Sequence, residues 1–152
     1  MRILFLGDIV GPSGCRVVKK YLPDIIKQKN LDFIVANGEN AADNGAGITK
    51  KISDELFQCG INVLTTGNHV WDQKETVEHI EKEKKLLRPY NLIPPAPGKG
   101  FEIFLCKNNF KVGVLNLMGN VFMKKCNDVF ETSSQFINKY KLKRDYDFLV
   151  ID

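Results

Sequence analysis

Five side chains stand out by type and by position. Asp8, Glu39, Asn40, Asn68 and His69 each lie one or two residues after a glycine (Gly7, Gly38 and Gly67), and each of these groups closely follows a short apolar run. Carboxylates, carboxamides and imidazoles are hard or borderline donors that suit divalent manganese, iron or zinc. A carboxylate has two oxygens, so Glu39 can bridge two cations. Two metals about 3.5–4 Å apart are a recurring device for phosphoryl hydrolysis, in which the phosphorus is polarised, a hydroxide attacks and a nearby acid protonates the leaving oxygen. Taken singly, each residue has a plainer role. Asp8 could cap a turn or helix, Gly38-Glu39-Asn40 could be a solvated loop, and His69 could be a half-buried, hydrogen-bonded imidazole. The metal reading gains weight from the coincidence of all three groups at equivalent places.

The equivalence comes from the elements that carry them. Ile3–Leu6, Phe33–Ala36 and Ile61–Leu64 are short, solidly apolar runs and read as buried strands. Helical patterns separate them. After Gly11, Pro12 and Gly14, the residues Val17, Val18, Tyr21 and Leu22 share a face, with Pro23 expected to break or kink the helix before Ile25 and Ile26. Thr49 can cap a helix placing Ile52, Leu56 and Phe57 together, and Gly60 suits its end. A charged helix is expected over about Lys74–Lys85, with its face in solvent. Such alternation predicts an α/β fold with a parallel sheet, whose ligands bind beyond the carboxyl ends of the strands. The three glycine-led groups fall there. Further on, Pro89–Gly100 reads as an extended loop, and Phe101–Cys106 with Lys111–Leu117 as a hairpin turning at Asn108-Asn109. A helix around Ser133–Tyr140 and a strand at Phe148–Ile151, ending in Asp152, complete the chain.

Composition excludes several classes. The 152 residues are 43% hydrophobic with a net charge of +4, which fits one ordinary globular domain and only mildly favours an anionic substrate. The paired lysines read as solvated helix faces rather than a nucleic-acid groove. Cys15, Cys59, Cys106 and Cys126 form no C-x-x-C pair, and their spacing fits reduced thiols in the cytoplasm. No run approaches the ~20 apolar residues of a membrane span. The Gly7–Gly14 segment is not G-x-G-x-x-G, and neither a G-K-[ST] phosphate loop nor a G-x-S-x-G elbow occurs.

Gly7-Asp8-Ile9-Val10-Gly11, Asn37-Gly38-Glu39-Asn40 and Gly67-Asn68-His69 resemble the calcineurin-like metallophosphoesterases. More narrowly they resemble the YmdB-type branch, described as 2′,3′-cyclic-nucleotide 2′-phosphodiesterases. Ala41–Gly47, Val70-Trp71-Asp72, Arg88-Pro89, Pro97–Gly100 and Asn116–Gly119 extend the likeness over essentially the whole chain. The resemblance implies a two-sheet sandwich flanked by helices, of which residues 1–152 would be the N-terminal part of one domain. It implies two divalent metals, iron or alternatively manganese. Asp8 and Asn40 would serve the first, Asn68 the second, and Glu39 would bridge them. His69 would be the general acid, the substrate a small phosphodiester, and a complete member a homo-oligomer away from membranes.

Two departures accompany the likeness. Asn120 stands where the family usually has arginine, and Lys124-Lys125-Cys126 lacks the expected prolines. Relatives also continue past a strand like Phe148–Ile151 into a histidine and later a His-x-His pair that finish the metal sites, whereas His69 and His79 are the two histidines here. The expectation is therefore half of a metal site, inactive and marginally stable by itself, with the remainder supplied by further residues or by a separate chain. His79 is expected on the surface of the charged helix. The competing expectations are a non-catalytic remnant and a nucleotide- or RNA-binding regulator.

Overall fold

The fold is given by a computed structural model that describes residues 1–106 and 109–152. In chain order it runs β1 (Ile3–Asp8), α1 (Gly11–Lys29), β2 (Phe33–Asn37), α2 (Lys50–Gln58), β3 (Val63–Thr65), α3 (Thr76–Lys82), β4 (Leu86–Leu87), β5 (Phe101–Leu105), β6 (Lys111–Leu115), α4 (Val129–Lys139) and β7 (Phe148–Ile151). Strands β1-β2-β3-β4 form a parallel sheet in that order, and β5-β6-β7 form a second sheet. In the second, β5 and β6 are antiparallel and β6 and β7 parallel.

The alternation of strand side chains explains why the two sheets stack. Ile34 and Ala36 of β2 face one way and join Leu64, Leu86 and the apolar sides of α1 and α2. Phe33 and Val35 face the other way and meet Val112 and Val114 of the second sheet. A strand buried on both faces needs the continuous apolar run that β2 has. On the far side of the second sheet, Phe136 of α4 packs edge-on to Phe101 and Tyr90, with ring centroids 4.7 and 5.7 Å apart. The result is helices, sheet, sheet, helix: the two-sheet α/β sandwich that the resemblance implied.

Local expectations hold unevenly. Thr49 Oγ1 accepts from the Ile52 amide and caps α2, a contact of about 1 kcal/mol. Gly60, at φ +113°, turns the chain after it. Pro23 does not break α1, which runs unbroken from Gly11 to Lys29. A single proline removes one amide donor but leaves both flanking turns free to pack, and Leu22 and Ile26 do so. The buried face also differs from the expected one: Cys15, Val18, Leu22 and Ile26 point inward, while Val17, Tyr21 and Ile25 are exposed. The charged helix is shorter than expected, and β4, which follows it, was missed because two leucines carry no period. His79 is half-buried rather than on the surface: its Nε2 lies 2.9 Å from Ser53 Oγ, tying α3 to α2. The expected hairpin forms, with Asn109 at φ +60°, though Asn108 lies outside the described residues.

Candidate metal centre

The carboxyl ends of β1, β2 and β3 lie side by side because the strands pair in parallel, and a register shift at Gly7 sets Asp8 opposite Asn37, itself opposite Thr65. The turns beyond them are tied to one another by backbone bonds. Ile9 N–H donates to Asn37 O at 2.9 Å, Gly11 N–H to Asn40 O at 2.8 Å and Gly38 N–H to Thr65 O at 2.9 Å. This brings all five candidate residues to one edge of the sheet.

Glu39 is at the centre. Its Oε2 is buried and has no hydrogen-bond partner among the described residues. An unpaired buried carboxylate oxygen is costly and asks for a cation or a proton. The neighbouring Gly67 has its purpose here: a Cβ on that residue would stand 2.0 Å from Glu39 Oε2. Burial raises the Glu39 pKa above its usual value. The His69 backbone N–H opposes that shift, the Asp8 carboxylate adds to it, the His69 side chain opposes it, and the Asp152 carboxylate adds to it. Glu39 therefore lies within the field of carboxylates from both β1 and β7.

Asp8 is exposed, and its Oδ2 accepts from Asn40 Nδ2 at 2.8 Å. That bond commits the amide nitrogen of Asn40 and leaves its carbonyl oxygen as the available donor atom. Asn68 lines a cleft of about 190 Å³ together with Glu39, Asn37, Asn116, Met118 and Asp152. Asp8 instead borders a separate concavity with Ile9, Ser13 and Val17. His69 is half-exposed, and its Nδ1 sits 2.6 Å from Asp72 Oδ2. Because a carboxylate only accepts, Nδ1 carries a hydrogen and Nε2 is the nitrogen left for other work.

Among the described residues, no three His, Cys, Asp or Glu side chains are grouped so as to hold a metal ion. Two of the four oxygen donors read from the sequence are carboxamides, so only Asp8 and Glu39 of that set could count toward such a group. By chemistry the donors present suit part of a divalent-metal shell: two carboxylates, one of them with a buried oxygen that has no partner among the described residues, and two amide oxygens. Both histidines are engaged, His69 with Asp72 and His79 with Ser53.

Several residues of the site carried no assigned role in the sequence. Asn37 and Thr65 belong to strands, and Asn116 sits after β6, yet all three hydrogen-bond within this edge. Asn116 donates both amide hydrogens, to Thr66 O at 2.8 Å and Leu87 O at 3.1 Å. Asp72 could have been found, since at three residues from His69 on a tight turn it is within reach of the ring.

Comparison with known proteins places the fold and the family. The chain is 38% identical over 149 residues to a 2′,3′-cyclic-nucleotide 2′-phosphodiesterase of Bacillus subtilis (strain 168), covering 98% of this chain and 56% of that protein. Among solved structures, a hypothetical protein from Thermus thermophilus superposes with a TM-score of 0.88 at 32% identity, over 99% of this chain and 56% of the other. A protein from Mycoplasma pneumoniae described as a novel phosphatase superposes with a TM-score of 0.87 at 31% identity, over 99% and 53%. The chain thus spans somewhat over half the length of the relatives it matches. No helix among the described residues is long and apolar enough to cross a membrane. The family described as YmdB-like protein matches residues 4–152, and the chain belongs to that family.

Proposed function

We propose that this chain forms part of a divalent-metal phosphodiesterase that hydrolyses 2′,3′-cyclic nucleotides or related phosphodiesters. The observation that carries the reading is Glu39 Oε2, a buried and unpartnered carboxylate oxygen beside a glycine that no other residue could replace without displacing it. Asp8, Glu39, Asn40 and Asn68 would hold the metal, with iron or manganese suiting their oxygens. Bound divalent cations would supply Lewis-acid stabilisation of charge developing on the phosphoryl oxygens. The protein's own contribution begins with burial, which keeps water from competing for Glu39. Asp72 then fixes the His69 ring through Nδ1, so that Nε2 can hold the proton given to the departing alkoxide oxygen.

The donor set within these residues is all oxygen, and residues beyond them, on the same or another polypeptide, would complete it. The exposed Val17, Tyr21 and Ile25 of α1, and separately the half-bare Phe5 on the edge strand β1, give such residues apolar places to pack. The 152-residue chain alone is then expected to bind Mn(II) weakly and to leave 2′,3′-cyclic AMP intact, with turnover appearing when the remaining segment of a full-length relative is supplied in trans. Full turnover by the lone chain would overturn the partial-site reading, and none in either arm would overturn the phosphodiesterase reading. In the active pairing, His69→Ala should lower turnover about 10²–10⁴-fold with metal content unchanged. Loss of metal along with turnover would make His69 a ligand instead.

A further inference from the structure

We propose that Asp152 is a positioning residue: acting through Asn37, it fixes the turn that presents Glu39. Glu39 belongs to the first sheet and Asp152 to the second, so any bond between their surroundings must cross the sandwich. One does. Asp152 Oδ2 accepts from Asn37 Nδ2 at 2.8 Å and from Thr65 Oγ1 at 2.6 Å. The other end of the Asn37 amide, Oδ1, accepts from the Glu39 backbone N–H at 3.0 Å. The relay has a single polarity. A carboxylate only accepts, so Asn37 must turn its NH₂ toward Asp152 and therefore its carbonyl toward Glu39.

Both ends of the relay are anchored. The backbone of Asp152 continues the β6–β7 ladder, its N–H donating to Leu115 O at 3.0 Å and its carbonyl accepting from Leu117 N–H at 2.8 Å. Thr65 is fully buried. The carboxylate is thus delivered by a regular strand and not by a loop, which is the arrangement that holds a site to a fraction of an ångström. Removing it would free the Asn37 amide to reverse, which would set an NH₂ group against the Glu39 N–H. Asparagine at this position would keep one carbonyl oxygen, whose two lone pairs can accept from both Asn37 and Thr65. The conservative variant therefore separates the hydrogen-bonding role from the charge.

The metal readout of this proposal rests on the reading of Glu39 as a metal donor, while the exchange readout does not. In the metal-free 152-residue chain, the Glu39 amide hydrogen should exchange slowly in the natural protein and in Asp152→Asn. It should exchange at least about tenfold faster in Asp152→Ala. Mn(II) affinity, followed by the electron paramagnetic resonance of the free ion, should fall about 10–100-fold in Asp152→Ala and stay within about threefold in Asp152→Asn. Should Asp152→Ala not fold, Asn37→Ala cuts the same relay one link further on and carries the same expectation. Unchanged Glu39 exchange in the alanine variant would overturn the proposal, as would an asparagine variant as impaired as the alanine one. If Glu39→Gln and the natural chain bind Mn(II) equally, the metal reading fails, and Glu39 exchange alone decides the role of Asp152.

Discussion

The two sheets end at the same edge of the molecule but end differently. Beyond the first sheet, side chains are left with open valences: Asp8 exposed, Glu39 Oε2 without a partner, His69 half-exposed. Beyond the second, the donors are spent on neighbours, although Asn116 Oδ1 is, like Glu39 Oε2, buried without a partner among the described residues. Asn116 is 1% exposed and uses both amide hydrogens on carbonyls of the first sheet, Thr66 just after β3 and Leu87 of β4, and Asp152 Oδ2 takes two donors from that sheet. One sheet presents and the other holds. A site with unsatisfied groups is destabilising by nature, and a rigid second layer is what keeps such groups from collapsing onto one another.

The sharpest way to break the division is on the holding side. Asn116→Leu keeps the volume but strands the buried Thr66 carbonyl, while Leu87 O retains the Thr66 hydroxyl at 2.9 Å. A stability loss of about 1–3 kcal/mol is expected from one carbonyl left unpaired, read as a lower urea midpoint at unchanged slope. An unchanged midpoint would mean that the second sheet is not bracing the Gly67-Asn68 turn. Gly67→Ala probes the presenting side. Its new methyl meets the far end of a long side chain, so Glu39 can swing aside and the fold should lose little. Mn(II) affinity should nevertheless drop by about tenfold or more, since a displaced donor is worth at least what an outer-shell contact is worth. Equal affinity in the two proteins would remove Glu39 from the metal reading.

The sequence made the presenting side legible and left the holding side dark, for a physical reason. Donors at strand ends announce themselves by charge and by a glycine beside them, and the strands behind them by apolar runs. Thr65 and Asn116 have neither mark, and Asn37, though beside Gly38, carries no charge. Their roles depend on which loop of the other sheet lies opposite, and sheet stacking is a non-local fact. The same holds for α1. Val17 and Tyr21 share the helical spacing of Val18 and Leu22, so the period alone cannot say which stripe turns inward. The position of Cys15 and the line of Leu22 and Ile26 decide it in the fold. Pro23 leaves α1 unbroken for a related reason: the loss of one hydrogen bond is local, and the packing that outweighs it is not.

The smallest expected effect tests whether the open valence of Glu39 costs stability. Burial is the largest cause of its raised pKa, with Asp8 and Asp152 adding like charge and His69 opposing. In the unfolded chain Glu39 ionises in the ordinary carboxylate range, and in the folded chain it does so at higher pH. Between those two points the folded state holds a proton that the unfolded state has released. Stability must then fall as pH rises through that window, and the full penalty persists above it. Glu39→Gln has no charge to bury. In metal-free protein the variant should therefore gain on the natural chain from mildly acidic to neutral pH and match it below the window. Glu102, whose pKa is lowered through its contact with Lys99, pulls the profile the opposite way, but it does so in both proteins and cancels in the difference. Urea midpoints measured for both across that range give the comparison directly. Parallel profiles would show that the Glu39 carboxylate is at ease without a cation, whereas Mn(II) stabilising the natural chain and not the variant would show what the open oxygen is for.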